Sequence, residues 1–155
     1  MWPVATVFLV GFMGSGKTSV GLELARRLGC PFVDLDDRVA ARFGRTMPEV
    51  FERWGEPAFR LAELDELALV AREGAAVVAT GGGAYCSATA REAVRSCGGV
   101  AVYLEVAWED LLARVGVEDP GRPMWTGPEA ARELFERRLP HYRAADLVVR
   151  LDPGD

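Results

Sequence analysis

Short apolar runs alternate along the chain with longer segments in which apolar residues recur every three or four positions. The runs have the length and composition of buried strands and lie at residues 4–10, 32–35, 75–79, 100–104 and 147–151. The longer segments follow helical periodicity and lie at residues 20–28, 39–43, 47–54, 56–72, 87–96, 108–115 and 128–139. Strands that alternate with helices predict βαβ units. We therefore expect an α/β fold of three layers, αβα, with a central five-stranded parallel sheet.

Length and charge narrow the classes of protein that this chain can represent. Its 155 residues fit a single domain over residues 1–155, and we find no internal repeat or linker. The first apolar run stops at Gly11, far short of the ~20 residues that span a bilayer, and no basic segment precedes it. The net charge of −5 gives no general attraction to nucleic acid or anionic membrane. We expect neither as a partner.

Cysteine usage points to a reducing compartment. Cys30, Cys86 and Cys97 are odd in number and lack the spacing of metal ligands. We predict that they are buried free thiols and that the protein is cytoplasmic.

The segment Gly11–Thr18, GFMGSGKT, matches the phosphate-binding pattern GxxxxGK[ST] between a predicted strand and a predicted helix. Glycines let backbone N–H groups surround phosphate oxygens, and the helix N-terminus favours negative charge. Lys17 is the only lysine of the chain, and we expect it to bridge the β- and γ-phosphates of ATP while the Thr18 hydroxyl binds Mg²⁺. The alternative is a glycine-rich turn that matches by chance, which the flanking strand and helix disfavour.

Candidate site residues follow two further strands, at the edge where a parallel sheet binds ligands. Asp34 and Asp36 flank Leu35 at the end of the second strand, so alternation along a strand directs both carboxylates to one side. One can serve the metal and the other a substrate hydroxyl, although acids at a helix start are the alternative. Gly81–Gly83 follow the third strand and allow a ligand close to the backbone, or form a tight turn.

Four arginines are candidates for binding anions. Arg60 and Arg138 are suited to bidentate recognition of a carboxylate, although a single helical arginine is more often solvated. Arg122 lies in the aperiodic stretch 117–127 and is a candidate lid residue over the phosphates, and Arg114 precedes it as a candidate to stack on adenine. Phe51 and Phe59 pack in the core or line a pocket for a ring.

The order and spacing of these segments resemble the shikimate kinase family across nearly the whole chain. The matching segments are Gly11–Thr18 (GFMGSGKT), Asp34–Asp36 (DLD), Gly55–Glu63 (GEPAFRLAE), Gly81–Gly83, Arg122–Pro123 and Arg138–Tyr142 (RLPHY). Met124 and Trp125 stand where the family usually has aliphatic residues.

The resemblance implies a P-loop NTPase fold and ATP-dependent phosphorylation of the shikimate 3-hydroxyl, a step toward the aromatic amino acids. It implies that ATP contacts Gly14, Ser15, Gly16, Lys17, Thr18, Ser19, Arg114 and Arg122, and that Thr18 and Asp34 bind one Mg²⁺. The shikimate contacts that it implies are Asp36, Arg60, Gly81, Gly82, Gly83 and Arg138, with Phe51 and Phe59 as candidate pocket walls. Lys17, Asp36 and Arg122 become the catalytic candidates. Family members are typically cytoplasmic monomers, with a substrate-binding segment here at about 36–61 and a lid at about 115–126.

Two other functions remain open from sequence. Another small-molecule P-loop kinase, of the gluconate or nucleoside monophosphate type, has less use for Asp36, Arg60 and Arg138 together. A regulator that binds ATP without catalysis is also possible. It is disfavoured because Lys17, Thr18, Asp34 and Arg122 are all present.

Overall fold

The structure, a computed structural model, describes residues 5–115 and 127–152. Within these ranges five strands form one parallel sheet in the spatial order β2-β3-β1-β4-β5. The strands are β1 (Val7–Val10), β2 (Phe32–Asp34), β3 (Val77–Ala79), β4 (Val100–Val106) and β5 (Leu147–Leu151). The predicted five-stranded parallel sheet is confirmed.

Helices connect the strands. They are α1 (Lys17–Leu28), α2 (Leu35–Phe43), α3 (Met47–Arg72), α4 (Ala88–Ser96), α5 (Trp108–Val115) and α6 (Pro128–Tyr142), and a 3₁₀ turn spans Ala84–Cys86. No helix in the described ranges has both the length and the apolar character needed to cross a membrane.

Alternation along β1 produces the three layers. Phe8 and Val10 face a large buried cluster that includes side chains of α3, α4 and α6. Leu9 faces the opposite way, into a smaller cluster formed with Ala25 of α1. Because neighbouring residues of a strand point to opposite faces, this continuously apolar strand needs helices on both sides, as its sequence predicts.

Local sequence signals set the boundaries of the helices that lie near the sheet edge. Gly29 and Gly44 end α1 and α2 in left-handed conformations that glycine adopts without strain. Thr46 begins α3 with a capping box whose acid is Glu49. At Gly55 the backbone of α3 is non-helical, with φ 82° and ψ 170°, so the two helices predicted at 47–54 and 56–72 meet there at a kink.

Helices α2 and α3 also pack on each other in a second, smaller cluster. Val39, Val50, Phe59 and Ala62 form their own buried cluster. Arg38 of α2 pairs with Glu66 of α3 at 3.0 Å and with Glu73, the C-cap of α3, at 2.8 Å. This α2–α3 unit is therefore stabilised by its own small core and by the ion pairs of Arg38.

Several sequence predictions are wrong in detail. Two apolar positions of the predicted helix at 56–72 do not pack in the core, since Leu61 is 68% and Leu69 45% exposed. Cys97 is exposed, and Cys30 and Cys86 are only half-buried, although all three are free as predicted. Helix α6 continues through Pro140 to Tyr142, beyond the predicted end at residue 139.

Other predictions concern residues outside the ranges that the structure describes. Val4, the first residue of the predicted first strand, lies outside the described ranges. The predicted lid at 115–126 does too, apart from the helical backbone of Val115, so the positions of Arg122, Met124 and Trp125 stay predictions.

Candidate functional site

The loop between β1 and α1 has the geometry that binds phosphate. Gly14 and Gly16 have φ values of 81° and 97°, which any other residue would adopt only with strain. The Ser15 N–H donates to the Phe12 carbonyl at 3.1 Å and closes the turn. Helix α1 begins at Lys17, so its unpaired first N–H groups are at the loop.

Two cationic side chains lie on this loop. The Lys17 ammonium donates to the Gly11 carbonyl at 2.5 Å and to the Phe12 carbonyl at 3.3 Å. Nη1 of Arg114, at the end of α5, donates to the Gly14 carbonyl at 3.2 Å. The positive charge predicted around the loop is therefore present, and Arg114 belongs to it despite its distance in sequence.

A cavity of about 540 Å³ lies against the loop. The predicted site residues that line it are Gly14, Ser15, Gly16, Lys17, Thr18, Ser19, Asp34, Asp36, Gly82 and Arg114. The fold thus brings the loop, the acidic pair and the glycine turn to one place, as the parallel sheet predicts.

The prediction that alternation along the second strand orients both Asp34 and Asp36 is wrong. Strand β2 ends at Asp34, which becomes the N-cap of α2 and accepts the N–H groups of Asp36 at 2.9 Å and Asp37 at 3.2 Å. Asp36 lies in the first helical turn. Both carboxylates still reach the cavity, because the helix starts at the edge of the sheet beside the loop.

Hard oxygen donors lie side by side at the start of α1 and the end of β2. The Thr18 hydroxyl is 3.5 Å from Oδ2 of Asp34. No group of three or more acidic, histidine or cysteine side chains suited to a metal occurs in the described part of the chain. Mg²⁺ binds through one or two protein oxygens together with waters and phosphates, so Thr18 and Asp34 fit a nucleotide-bound Mg²⁺.

The buried Glu63 and the partly buried Asp36 bring their carboxylates together at Gly81. A Cβ atom built on Gly81 would lie 2.6 Å from Oε2 of Glu63 and 2.8 Å from Oδ1 of Asp36. Neither of these oxygens has a hydrogen-bond partner among the described residues. Burial raises the pKa of both carboxyls, and Lys17 and Arg60 only partly oppose this for Asp36. Glycine at position 81 leaves the space that the two acids occupy.

Arg60 and Arg138 converge on Gly83. A Cβ atom at Gly83 would lie 2.7 Å from both terminal nitrogens of Arg60 and 2.9 Å from Nη2 of Arg138. Arg60 is held by Glu63 at 2.9 Å, whereas Arg138 is 7% exposed and forms no ion pair with any carboxylate of the described residues. Two guanidinium groups beside a glycine turn can together bind one carboxylate.

Glu63 and Tyr142 belong to this site, although sequence reasoning gave neither a role. Glu63 is 3% exposed and lies one turn after Arg60, and that i, i+3 spacing in the quoted segment was the available signal. The Tyr142 hydroxyl donates to the Gly82 carbonyl at 2.5 Å and fixes the glycine turn to α6. No local pattern indicates that contact.

Phe51 and Phe59 lie next to each other, with ring centroids 4.9 Å apart. Phe59 is buried within the α2–α3 cluster, and the Arg60 guanidinium lies 5.0 Å from its ring centroid. The Phe59 ring therefore packs against the Arg60 guanidinium, while the partly buried Phe51 packs at the edge of that cluster.

Comparisons with known proteins agree with this geometry. The family model described as shikimate kinase matches residues 13–153. A shikimate kinase of Moorella thermoacetica is 43% identical over 148 residues, covering 94% of this chain and 84% of that protein. One of Cereibacter sphaeroides is 41% identical, covering 96% and 75%.

A solved structure is similar over the same length. The shikimate kinase of Acinetobacter baumannii in complex with shikimate has a TM-score of 0.92 and 37% identity, covering 97% of this chain and 86% of that chain. The match to the family model spans the phosphate loop from Met13, the acidic pair, the glycine turn and both arginines. This chain therefore belongs to the shikimate kinase family.

Proposed function

We propose that this chain transfers the γ-phosphoryl group of ATP to the 3-hydroxyl of shikimate, giving shikimate 3-phosphate and ADP for aromatic amino-acid biosynthesis. The observation that supports this acceptor most directly is the convergence of Arg60 and Arg138 on Gly83, next to the cavity of the phosphate loop. A nearly buried guanidinium without an acidic partner is costly, and a substrate carboxylate offsets that cost. The relative from Acinetobacter baumannii, whose structure contains shikimate, supports the same acceptor.

Three sets of residues hold the acceptor. Arg60 and Arg138 bind its carboxylate, and the glycine turn Gly81–Gly83 lets its ring approach the backbone. Asp36 accepts a hydrogen bond from the hydroxyl that attacks, because its Oδ1 has no partner among the described residues and points to Gly81. Phe51 and Phe59 form the wall behind Arg60.

The loop and the cations around it hold the nucleotide. Backbone N–H groups of Gly14 to Ser19 surround the β-phosphate, and Lys17 exchanges its contacts with the Gly11 and Phe12 carbonyls for phosphate oxygens. Arg114, which donates to the Gly14 carbonyl of the loop, is assigned to the adenine. Arg122, which lies outside the described ranges, is assigned to the γ-phosphate. Thr18 and Asp34 would hold Mg²⁺, which would neutralise charge on the phosphate oxygens.

The transfer step requires alignment more than covalent chemistry. The acceptor oxygen forms a bond to the γ-phosphorus while the bond between that phosphorus and the bridging oxygen breaks, and ADP leaves with those electrons. The hydroxyl proton passes to Asp36, whose raised pKa suits it to accept a proton. Lys17 and Arg122 compensate the charge that develops on the phosphoryl oxygens.

The same proposal includes the organisation and environment of the protein. Residues 1–155 form a single domain with an acceptor-binding segment at about 36–61 and a lid at about 115–126. Closure of the lid excludes water, so that ATP is not hydrolysed. The protein works as a monomer in the cytoplasm, without nucleic-acid or membrane partners.

ATP turnover with different acceptors tests the proposal. With Mg²⁺ at pH 7 to 8, we expect shikimate to stimulate ADP formation strongly and to yield one phosphorylated product per ADP, while quinate and gluconate do not. Stimulation by gluconate instead would assign another small-molecule kinase. ATP binding without turnover on any acceptor would leave only a nucleotide-binding protein, and a Lys17→Ala variant provides the inactive control.

A further inference from the structure

A second cavity, of about 270 Å³, lies away from the phosphate loop. Its walls come from the 3₁₀ turn, from α4, and from the connections that precede β4 and β5. Because the strands are parallel, the starts of β4 and β5 lie at the sheet edge opposite to the end of β1, where the phosphate loop begins. None of the residues assigned to ATP or the acceptor lines it.

A cation faces this cavity without an acidic partner. Nη1 of the half-buried Arg91 donates to the Tyr85 carbonyl at 2.8 Å and lies 3.3 Å from Nδ1 of His141. Among the described residues no carboxylate comes within ion-pair distance of Arg91. A guanidinium has five N–H donors, so most of those on Arg91 stay available to a ligand.

The Tyr85 hydroxyl is a second donor at the same place. Tyr85 is buried and lines the cavity together with Arg91 and the segment before β5. Burial and the carboxylate of Asp146 raise the Tyr85 pKa, against the opposing effect of Arg91 and Arg95. The hydroxyl therefore stays protonated near neutral pH and can donate to an anion.

An anion faces the same cavity. Asp146 accepts the Ala101 N–H through Oδ2 at 2.8 Å, which fixes its carboxylate at the start of β5. It forms no ion pair with Arg91 or Arg95 in the described ranges, and Arg95 pairs instead with Glu92 at 3.1 Å. The cavity is therefore lined by a cation, Arg91, and an anion, Asp146, that do not form an ion pair with each other.

We infer that this cavity binds a small zwitterion, an α-amino acid, with its carboxylate on Arg91 and the Tyr85 hydroxyl and its ammonium group on Asp146. Separated charges of opposite sign match a ligand that carries both charges, and each contact is a charge-assisted hydrogen bond. The volume lies just below the usual range of about 300–1,000 Å³ for ligand pockets, so a compact ligand is expected. Val94 supplies an apolar wall for its side chain.

His141 is the only histidine of the chain and lies beside Arg91, so its ring protons report on this cavity in ¹H NMR. The protein is saturated with ADP, Mg²⁺ and shikimate, and then titrated with L-leucine at constant pH and ionic strength. Two matched probes each lack one charge: 4-methylpentanoate has no ammonium group and 3-methylbutylamine has no carboxylate. We expect a saturable shift with L-leucine and at least about tenfold weaker binding of both partial probes, because each loses a charged contact.

Variants locate the binding. Asp146→Asn keeps an oxygen for the Ala101 N–H but removes the charge, and Arg91→Gln removes the cation. Each is expected to weaken L-leucine binding by about tenfold or more. Arg132→Gln, which changes an exposed arginine paired with Glu136, is the matched control and is expected to bind as the wild type does. Thermal unfolding verifies that each variant is folded.

Three results would overturn the inference. One is the absence of any saturable His141 shift with L-leucine. Another is equal binding of L-leucine and 4-methylpentanoate, which would make the cavity a simple anion site. The third is wild-type affinity in the folded Asp146→Asn and Arg91→Gln variants.

Discussion

The phosphate loop and the acceptor site lie next to each other but are built in different ways. The loop is made by the consecutive residues Gly11–Thr18, and its shape is set by backbone conformation and by the start of α1. The acceptor site is assembled from the start of α2, the middle of α3, the glycine turn and the last part of α6. Local backbone geometry is enough to form the loop, whereas the proposed acceptor site forms only when distant elements of the fold pack together.

The two regions also differ in how charge is compensated. In the loop, Lys17 contacts two backbone carbonyls. In the acceptor site Asp36, Glu63 and Arg138 bring charges out of water, and each acid keeps one oxygen without a partner among the described residues. Such an arrangement costs stability in the free protein and is compensated when a complementary ligand binds.

Lys17→Ala tests the loop alone. Loss of the cation that compensates charge on the transferred group is expected to lower kcat by roughly 10²–10³-fold. In the proposed site Arg60 and Arg138, not Lys17, bind the shikimate carboxylate, so shikimate binding measured by calorimetry is expected to persist. Loss of shikimate binding together with turnover would contradict the separation of the two regions.

Gly81→Ala tests the acceptor site alone. The added methyl group would meet Oε2 of Glu63 and Oδ1 of Asp36, so both acids must move. A displacement near 1 Å at a reacting group can lower kcat/KM by about 10²-fold, and we expect that size of loss for shikimate. ADP affinity is expected to be unchanged.

Gly99→Ala is the matched control for this change. Its methyl group would lie 2.6 Å from the Phe8 ring, far from the acceptor site. Overpacking there is expected to lower the free energy of unfolding by about 1–3 kcal/mol without altering kcat/KM for shikimate. If both glycine variants lowered kcat/KM equally, the loss would reflect general destabilisation rather than the acids at Gly81.

The smallest expected effect concerns the pH dependence of stability. Burial raises the pKa of Glu63 in the folded protein above its ordinary value of 4.5. Between these two pKa values the folded state binds more protons than the unfolded state, so the free energy of unfolding falls as pH rises through this interval. Glu63→Gln removes that contribution, and its stability is expected to fall less than that of the wild type.

Urea unfolding of both proteins between pH 4.5 and 8 measures this difference. Contributions from acids remote from position 63, such as Glu49, cancel when the two curves are subtracted, whereas Asp36 is coupled to Glu63 and contributes to the measured difference. Glu136→Gln, at an exposed acid of α6, is the control and is expected to follow the wild-type curve. A subtracted curve without slope would contradict a destabilising buried carboxylate at position 63.

The same contrast explains what the sequence could predict. The loop follows from consecutive residues, and the helix boundaries at Gly29, Gly44 and Thr46 follow from caps that are also local. The approach of Arg60 to Arg138 depends on how α3 and α6 pack, and only the family resemblance linked them. Glu63 was missed because its burial between Arg60 and Asp36 is a property of the tertiary structure.

Asp36 shows a local limit of the same kind. Whether β2 continues to Leu35 or ends at Asp34 depends on a side-chain cap, since Asp34 accepts the first N–H groups of α2. Alternation along the sequence could not decide this. The carboxylate nevertheless reached the expected cavity, because both outcomes place it at the same edge of the sheet.

We propose that acceptor selection depends on Arg60 and its partners, while the loop binds the nucleotide. Steady-state kinetics of Arg60→Lys test this division of roles, because lysine keeps the positive charge beside Glu63 and loses the bidentate geometry. Arg53→Lys, at an exposed arginine of the same helix, is the matched control. We predict that Arg60→Lys raises KM for shikimate about tenfold or more and leaves KM for ATP unchanged, whereas Arg53→Lys alters neither. An equal rise in both KM values for Arg60→Lys would contradict the claim.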